Sequence, residues 1–542
     1  MRLFKNILKA TVISLASLTS PLAFADEPIK GGTLIYLDKQ AHNNLYVPAA
    51  GTYSNGGVLG QITDRLTWQN PDTLEIEPWI AESWEINEDA TIYTFKLRPG
   101  VSFSDGTPLD AAAVGRNYDT YGLGNAELRQ PVSEVINNYQ RSEIVDPLTI
   151  RFYFSRPSPG FLQGTSVLGS GLVALKTLDL PFDQTGDATK IIGSGPFVVQ
   201  SETLGKELVL TAREDYNWAP QNFAHQGRAY LDGIRFLTVP EDNVRIGALI
   251  AGQAHFIRYL EAYDEERVAK AGLNIYAPST RGVNNNVIFR PDNELVADVK
   301  VRKALLHATD TQAIVTALYS LNYPVASSVV ARTAVGYIDQ SEKLRFDTNL
   351  AEQLLEEAGW RREADGIREK DGNKLELDII ESVNQPRNKA MLQLIAQQWA
   401  KIGVKLNVRP WDATGYIVDN LDPQKTPLVA AMVGRADADV VKSNFHPKNR
   451  DSMRQLGGMS DQIKSFVDEP LNSLLEDVAS EPDQTKRIVL LRQALEHLID
   501  QAYIIPIFEE PQVYGGAPHI KGIGFEAVGR PFFYNTYIDT KQ

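Results

Sequence analysis

The change of hydrophobic period along the chain constrains its fold most. From about Val299 to Ile402 the apolar residues recur at helical spacing: in "VRKALLHA", Val301, Ala304, Leu305 and Ala308 fall on one face. Thr309 with Gln312 has the form of a capping box opening "AIVTAL", and Asp347 is placed to cap "TNLAEQLLEEAG", which Gly359 ends. "NKAMLQLIAQQWAKIG" puts Met391, Ile395, Trp399 and Ile402 on one stripe. The runs "LELDII" and "VKLNVRP" flank that last helix, which is the alternation of an α/β lobe with helical crossovers.

The first half differs. From Gly31 to about Phe236, short β-rich runs such as "TLIYL", "TIYTFKL", "LTIRFYF" and "ELVLTA" alternate with turns, so it reads as mostly sheet. After the helical "RIVLLRQALEHLID" the tail turns β-like again in "AYIIPIF" and "FFYNTYI", as expected of a chain that returns to its first lobe. The prediction is an α/β protein of two lobes with two chain crossings.

Residues 1–25 have the form of a cleavable export signal, with Arg2, Lys5 and Lys9 before an apolar run and Ala23-Phe24-Ala25 at its end. The run is shorter than the roughly 20 residues of a membrane helix. With no cysteine, the chain has no disulfide, thiolate metal site or lipid-anchored cysteine, so a free periplasmic protein is expected. Loss of the three leader cations takes the net charge from -14 to -17, which disfavours nucleic acid and anionic lipid.

Catalytic patterns are scarce. No two of the seven histidines lie within six positions, so neither H-E-x-x-H nor a compact zinc spacing exists. "GSGP" at Gly193–Pro196 reads as a turn before the strand "FVVQ". Asp437 and Asp439 in "GRADADVV" do not open a calcium loop, because Val441 stands at its fifth position and no glycine at the sixth. A binding protein, with neither enzymatic activity nor a cofactor, is the expected class.

The stretch "TFKLRPGVSFSDGTPLDAAAV" then becomes informative. Pro99-Gly100 and Asp105-Gly106 supply two turns, and Asp110 can cap a helix carrying Val114, Tyr118 and Tyr121. It closely resembles the signature of the family 5 extracellular solute-binding proteins of ABC importers, the dipeptide, oligopeptide and nickel-chelate type. The likeness continues through "EPWIAESWEINEDATIYTF", "GSGPFVV", "AREDYNW", "DVKVRKALLHATDTQAI", "AEQLLEEAGW" and "IAQQWAKIGVKL".

This resemblance implies a two-lobed periplasmic binding protein, type II, in the large form with an extra subdomain, the lobes closing on a ligand by hinge motion. Lobe I would span 26–285, with its subdomain at about 63–189, lobe II 286–507, and 508–542 would return to lobe I. The crossings would fall near Asn284–Val287 and Ile507–Glu509. A monomer delivering a peptide or peptide-like solute to a membrane permease and its ATPase is the implied role.

For the site, dipeptide-type relatives carry a Gly-Trp-x-x-Asp segment whose aspartate holds the peptide ammonium. Here Gly434 is kept, Arg435 replaces the tryptophan, and the acid is Asp437 or Asp439. Where those relatives have Arg-x-Tyr-x-Pro for the carboxylate, this chain has Ser382-Val383-Asn384-Gln385-Pro386. Arg435 is therefore the candidate to grip a carboxylate, or else a structural partner of Asp437 or Asp439. Trp411 in "VRPWDA" and Tyr53 in "AAGTYSNGG" are candidates to stack on a ligand, and Asn384 to contact it. His446 is the histidine nearest the expected cleft, which leaves a metal chelate or opine-like metallophore as the alternative ligand. Two other classes stay open, an exported hydrolase with a dispersed active site and a periplasmic chaperone.

Overall fold

The computed structural model describes residues 28–382, 385, 387–411, 419, 422–447 and 466–540. The export-signal reading of residues 1–25 and the candidate Asn384 lie outside them. Two sheets organise the chain. A seven-stranded sheet runs in the spatial order Asn274–Tyr276, Tyr514–Gly516, Phe256–Arg258, Thr33–Asp38, Gly233–Thr238, Glu207–Ala212, Phe197–Thr203. A five-stranded sheet runs Lys405–Arg409, Glu376–Ile380, Leu428–Val433, Val283–Phe289, Ile504–Phe508. Each is the base of one lobe.

In the first lobe Tyr36, buried on the central strand, packs against Phe236 at 5.0 Å and Phe533 at 5.9 Å between ring centroids, so the C-terminal tail is part of this core. The strands Ala81–Ile86, Ile92–Leu97, Thr149–Phe154 and Tyr139–Asp146 make a separate antiparallel sheet. The helix Ala111–Leu123 covers it, with the Tyr118 ring 4.8 Å from Phe152. Asp110 caps that helix by accepting from Ala113 N at 2.9 Å, and Gly100 and Gly106 take φ values of 78° and 84° at the two turns. The motif that carried the resemblance is scaffold. Gly193 and Gly195 of "GSGP" permit a close backbone approach: a Cβ at either would collide with the backbone of Ile62.

In the second lobe the helix Asn388–Lys401 joins the parallel strands Glu376–Ile380 and Lys405–Arg409. Its apolar stripe, Met391, Ile395 and Trp399, is buried, and Trp399 stacks on Phe289. One cap differs from expectation. Asp310, not Thr309, caps the helix Thr311–Leu318, accepting from Ala313 N at 2.9 Å. Thr309 lies within reach of the preceding helix, where its hydroxyl donates to Leu305 O and accepts from Trp399 Nε1.

The chain passes between the lobes in two peptides, 277–282 and 509–513, which lie side by side: Thr280 N donates to Glu510 O at 3.0 Å and Gln512 N to Pro278 O at 2.9 Å. The positions expected for the crossings, Asn284–Val287 and Ile507–Glu509, fall mostly within the second sheet instead. Every residue of Val283–Phe289 is buried between two strand neighbours, so the chain leaves that sheet only before Val283. Among the described residues no helix is long and apolar enough to cross a membrane.

Candidate functional site

Between the lobes lies a cavity of about 890 Å³, within the size range of small-molecule sites. The first lobe contributes the start of the helix Tyr53–Ile62, the end of the strand Phe256–Arg258 and the turn at 526–530. The extra subdomain contributes Ser133–Val135. The second lobe contributes eight consecutive residues, Val429 to Ala436.

Five of those residues, Val429 to Val433, belong to the strand Leu428–Val433, whose far end is an open edge. The neighbouring parallel strand Glu376–Ile380 pairs only with Leu428 and Val429 and then diverges. From Ala430 onward the strand has, among the described residues, its ladder to Val283–Phe289 on one side, while the cavity adjoins it. A partly unpaired edge beside a cavity is a template for an extended chain.

Four arginines line the wall. Arg65 is paired with Glu526 at 2.6 Å, and Arg258 holds Asp38 through two bonds of 2.8 and 2.9 Å. Arg435 grips Asp437 through Nε and Nη2 at 2.8 and 2.7 Å, donates from Nη1 to Ser443 Oγ at 2.6 Å, and lies 3.4 Å from Glu134 of the subdomain. Burial alone would lower the Arg435 pKa, but the Asp437 and Glu134 carboxylates outweigh it and raise it. Arg530 donates to Gly51 O at 2.7 Å and lies over the Tyr53 ring at 4.9 Å.

Arg435 and Tyr53 thus stand on the cavity wall. The Tyr53 hydroxyl donates to Val528 O at 2.8 Å, which leaves the ring as its contribution, and burial raises its pKa. Asp437 is buried and its carboxylate is engaged by Arg435. It is off the wall, as are three other candidates. Asp439 accepts from Arg487 at 2.6 Å, because the helix Gln484–Asp500 brings that arginine beneath it. His446 is buried 3.3 Å from Glu476. Trp411 is 39% exposed, its backbone N bonded to Glu381. Among the described residues no three His, Cys, Asp or Glu side chains form a metal-holding group.

Sequence reasoning did not single out Arg65, Arg258, Arg530, Glu134 or Glu526. The available signal was charge inside apolar runs: Glu526 and Arg530 interrupt "GIGFEAVGRPFFYNTYI", where a solvated face would need more polar neighbours.

Two α/β lobes joined by paired crossings, with a cavity between them lined by four arginines, define a two-lobed binding protein, built to close on a solute. Residues 75–449 match the model of the bacterial extracellular solute-binding proteins, family 5 Middle. The chain belongs to that family. It is 24% identical to the dipeptide-binding protein of Escherichia coli, over 94% of this chain and 95% of the relative. It is 27% identical to heme-binding protein A of Haemophilus influenzae, over 98% and 100%. The crystal structure of NikA from Brucella suis in complex with Fe(III)-EDTA superposes with a TM-score of 0.75 at 26% identity, covering 92% of this chain and 98% of that one.

Proposed function

We propose that this chain is the periplasmic substrate-binding subunit of an ABC importer, capturing a peptide or peptide-like solute between its lobes and delivering it to a membrane permease with its ATPase. It works as an exported monomer after loss of residues 1–25, without catalysis and without a cofactor. Lobe I comprises 26 to about 282 with a subdomain at about 63–189, lobe II about 283–508, and about 509–542 returns to lobe I.

The observation that carries the reading is the strand edge at Ala430–Val433 beside the cavity. An extended peptide beside it would gain main-chain hydrogen bonds whatever its side chains, as strand addition requires. The likeness to a dipeptide-binding protein supports the same class. The peptide ammonium lies toward Asp437 and Glu134, where two carboxylates face the single Arg435 guanidinium.

The second reading, a metal carried as a preformed chelate, is favoured by the arginines on the wall, which suit a polycarboxylate chelator, and by the likeness to a protein solved with Fe(III)-EDTA.

Native mass spectrometry of the mature protein from its own periplasm, followed by denaturation, decides between them. A released peptide or amino-acid conjugate is the expected result. A metal isotope pattern would replace the peptide by a chelate, and turnover of a peptide or ester panel would overturn the binding-only role.

A further inference from the structure

Three of the four cavity arginines have a carboxylate partner, whereas Arg530 has none among the described residues. Its side chain is buried, with 8% of the residue exposed, and its Nε is enclosed without a hydrogen-bond partner. Its one hydrogen bond there runs from Nη2 to the neutral carbonyl of Gly51 at 2.7 Å. A buried cation without a counter-ion is unfavourable unless something else supplies the charge.

The surroundings hold this guanidinium in place. Gly56 leaves room for it, since a Cβ there would come within 2.5 Å of Arg530 Nε. The Tyr53 ring lies beneath it, fixed by the bond from its hydroxyl to Val528 O. The other end of that ring reaches the second lobe, with Tyr53 Oη 2.7 Å from the Cβ position of Gly434, next to Arg435. The cavity therefore has polarity: one cation with two acids at Arg435, and at Arg530 one cation without an ion pair among the described residues, the nearby Glu526 being held by Arg65.

We propose that Arg530 is the anchor for a carboxylate of the bound solute, its planar fork supplying charge and orientation together. The assignment rests on the reading of this cavity as the solute site. It places the carboxylate end of a zwitterionic solute at the turn 526–530, far in sequence from the segment Ser382–Pro386 to which the family resemblance pointed.

The test uses the mature protein, freed of bound solute by reversible unfolding, and three probe pools: tripeptides with free C-termini, the same tripeptides amidated, and succinate, glutarate and citrate. Affinities are read by thermal shift and calorimetry for wild type, Arg530→Gln and Arg530→Lys. The expected result is that free-acid probes lose about 10- to 100-fold in affinity in Arg530→Gln, with a smaller loss in Arg530→Lys, while amidated peptides bind both proteins alike. A fold defect would weaken acid and amide alike, and Arg530→Lys carries the test if Arg530→Gln does not fold.

Carboxylates that bind wild type and both variants equally, or a wild type that binds no carboxylate probe, would overturn the proposal. Peptides bound independently of Arg530 would remove this anchor and leave the peptide reading standing. Simple carboxylates bound through Arg530 with no peptide bound would do the reverse.

Discussion

Arg435 of the second lobe reaches Glu134 of the first-lobe subdomain at 3.4 Å while its other nitrogens hold Asp437 at 2.8 and 2.7 Å. This link between the lobes joins the bond from Gln69 Nε2 to Ala436 O at 3.2 Å. Both contacts span the cleft, so moving the lobes apart would break them. Glu134→Gln should therefore weaken solute binding by about 1 kcal/mol, roughly fivefold, chiefly through faster release. Stopped-flow dissociation of the co-purified solute measures it, and an unchanged off-rate would remove the link from the closing mechanism.

Gly434 meets Tyr53 across the same cleft, with a Cβ placed there only 2.7 Å from the hydroxyl. Gly434→Ala should push Tyr53 off Val528 O, at a loss of about 1 kcal/mol of closed-state stability. The double variant Gly434→Ala, Tyr53→Phe should recover part of the affinity, because the clashing oxygen is gone. Calorimetric double-mutant analysis tests this, and purely additive losses would count against the contact.

Glu510, buried in a crossing peptide, has its pKa raised by burial from 4.5 to about 8, the Asn285 amide only partly opposing this. The folded state thus binds a proton that the unfolded state releases. The stability contribution is present in full below pH 4.5 and is lost as pH rises to about 8, an effect on the order of a few kcal/mol. Asp64, raised by burial to about 7, acts in the same direction. Urea denaturation from pH 5 to 9 should give a shallower pH dependence for Glu510→Gln than for wild type. Superimposable profiles would show that Glu510 is not buried in this way.

Asp38 and Arg258 form a buried pair, with Arg258 on the cavity wall. Asp38→Asn would leave the guanidinium without its counter-charge, and a loss of about 3–5 kcal/mol is expected. The midpoint of urea unfolding reports it. A loss well below 1 kcal/mol would mean that the cavity already supplies the arginine with another anion or with water.

Helix positions, caps and turns were largely legible in the sequence because they depend on neighbours within four residues. Asp110 and Asp347 cap the helices they precede, and the Met391 stripe is buried. The one misplaced cap, at Thr309, depended on Trp399, 90 positions away. The site was much less legible: the sequence candidates included Arg435 and Tyr53, but also Asp439 and His446, which other partners hold away from the cavity wall.

By itself the sequence determined the α/β alternation, the family and the local form of each element, because periodicity and turn chemistry are short-range. The tertiary structure decided which charges are neutralised and which face the solute. Arg65 meets Glu526 from 461 residues away and Arg258 meets Asp38 from 220, and those pairings leave Arg530 without a carboxylate among the described residues. An ion pair is a relation of distance in space, and here the chain fixes that distance only once the first lobe has formed around its returning C-terminal tail.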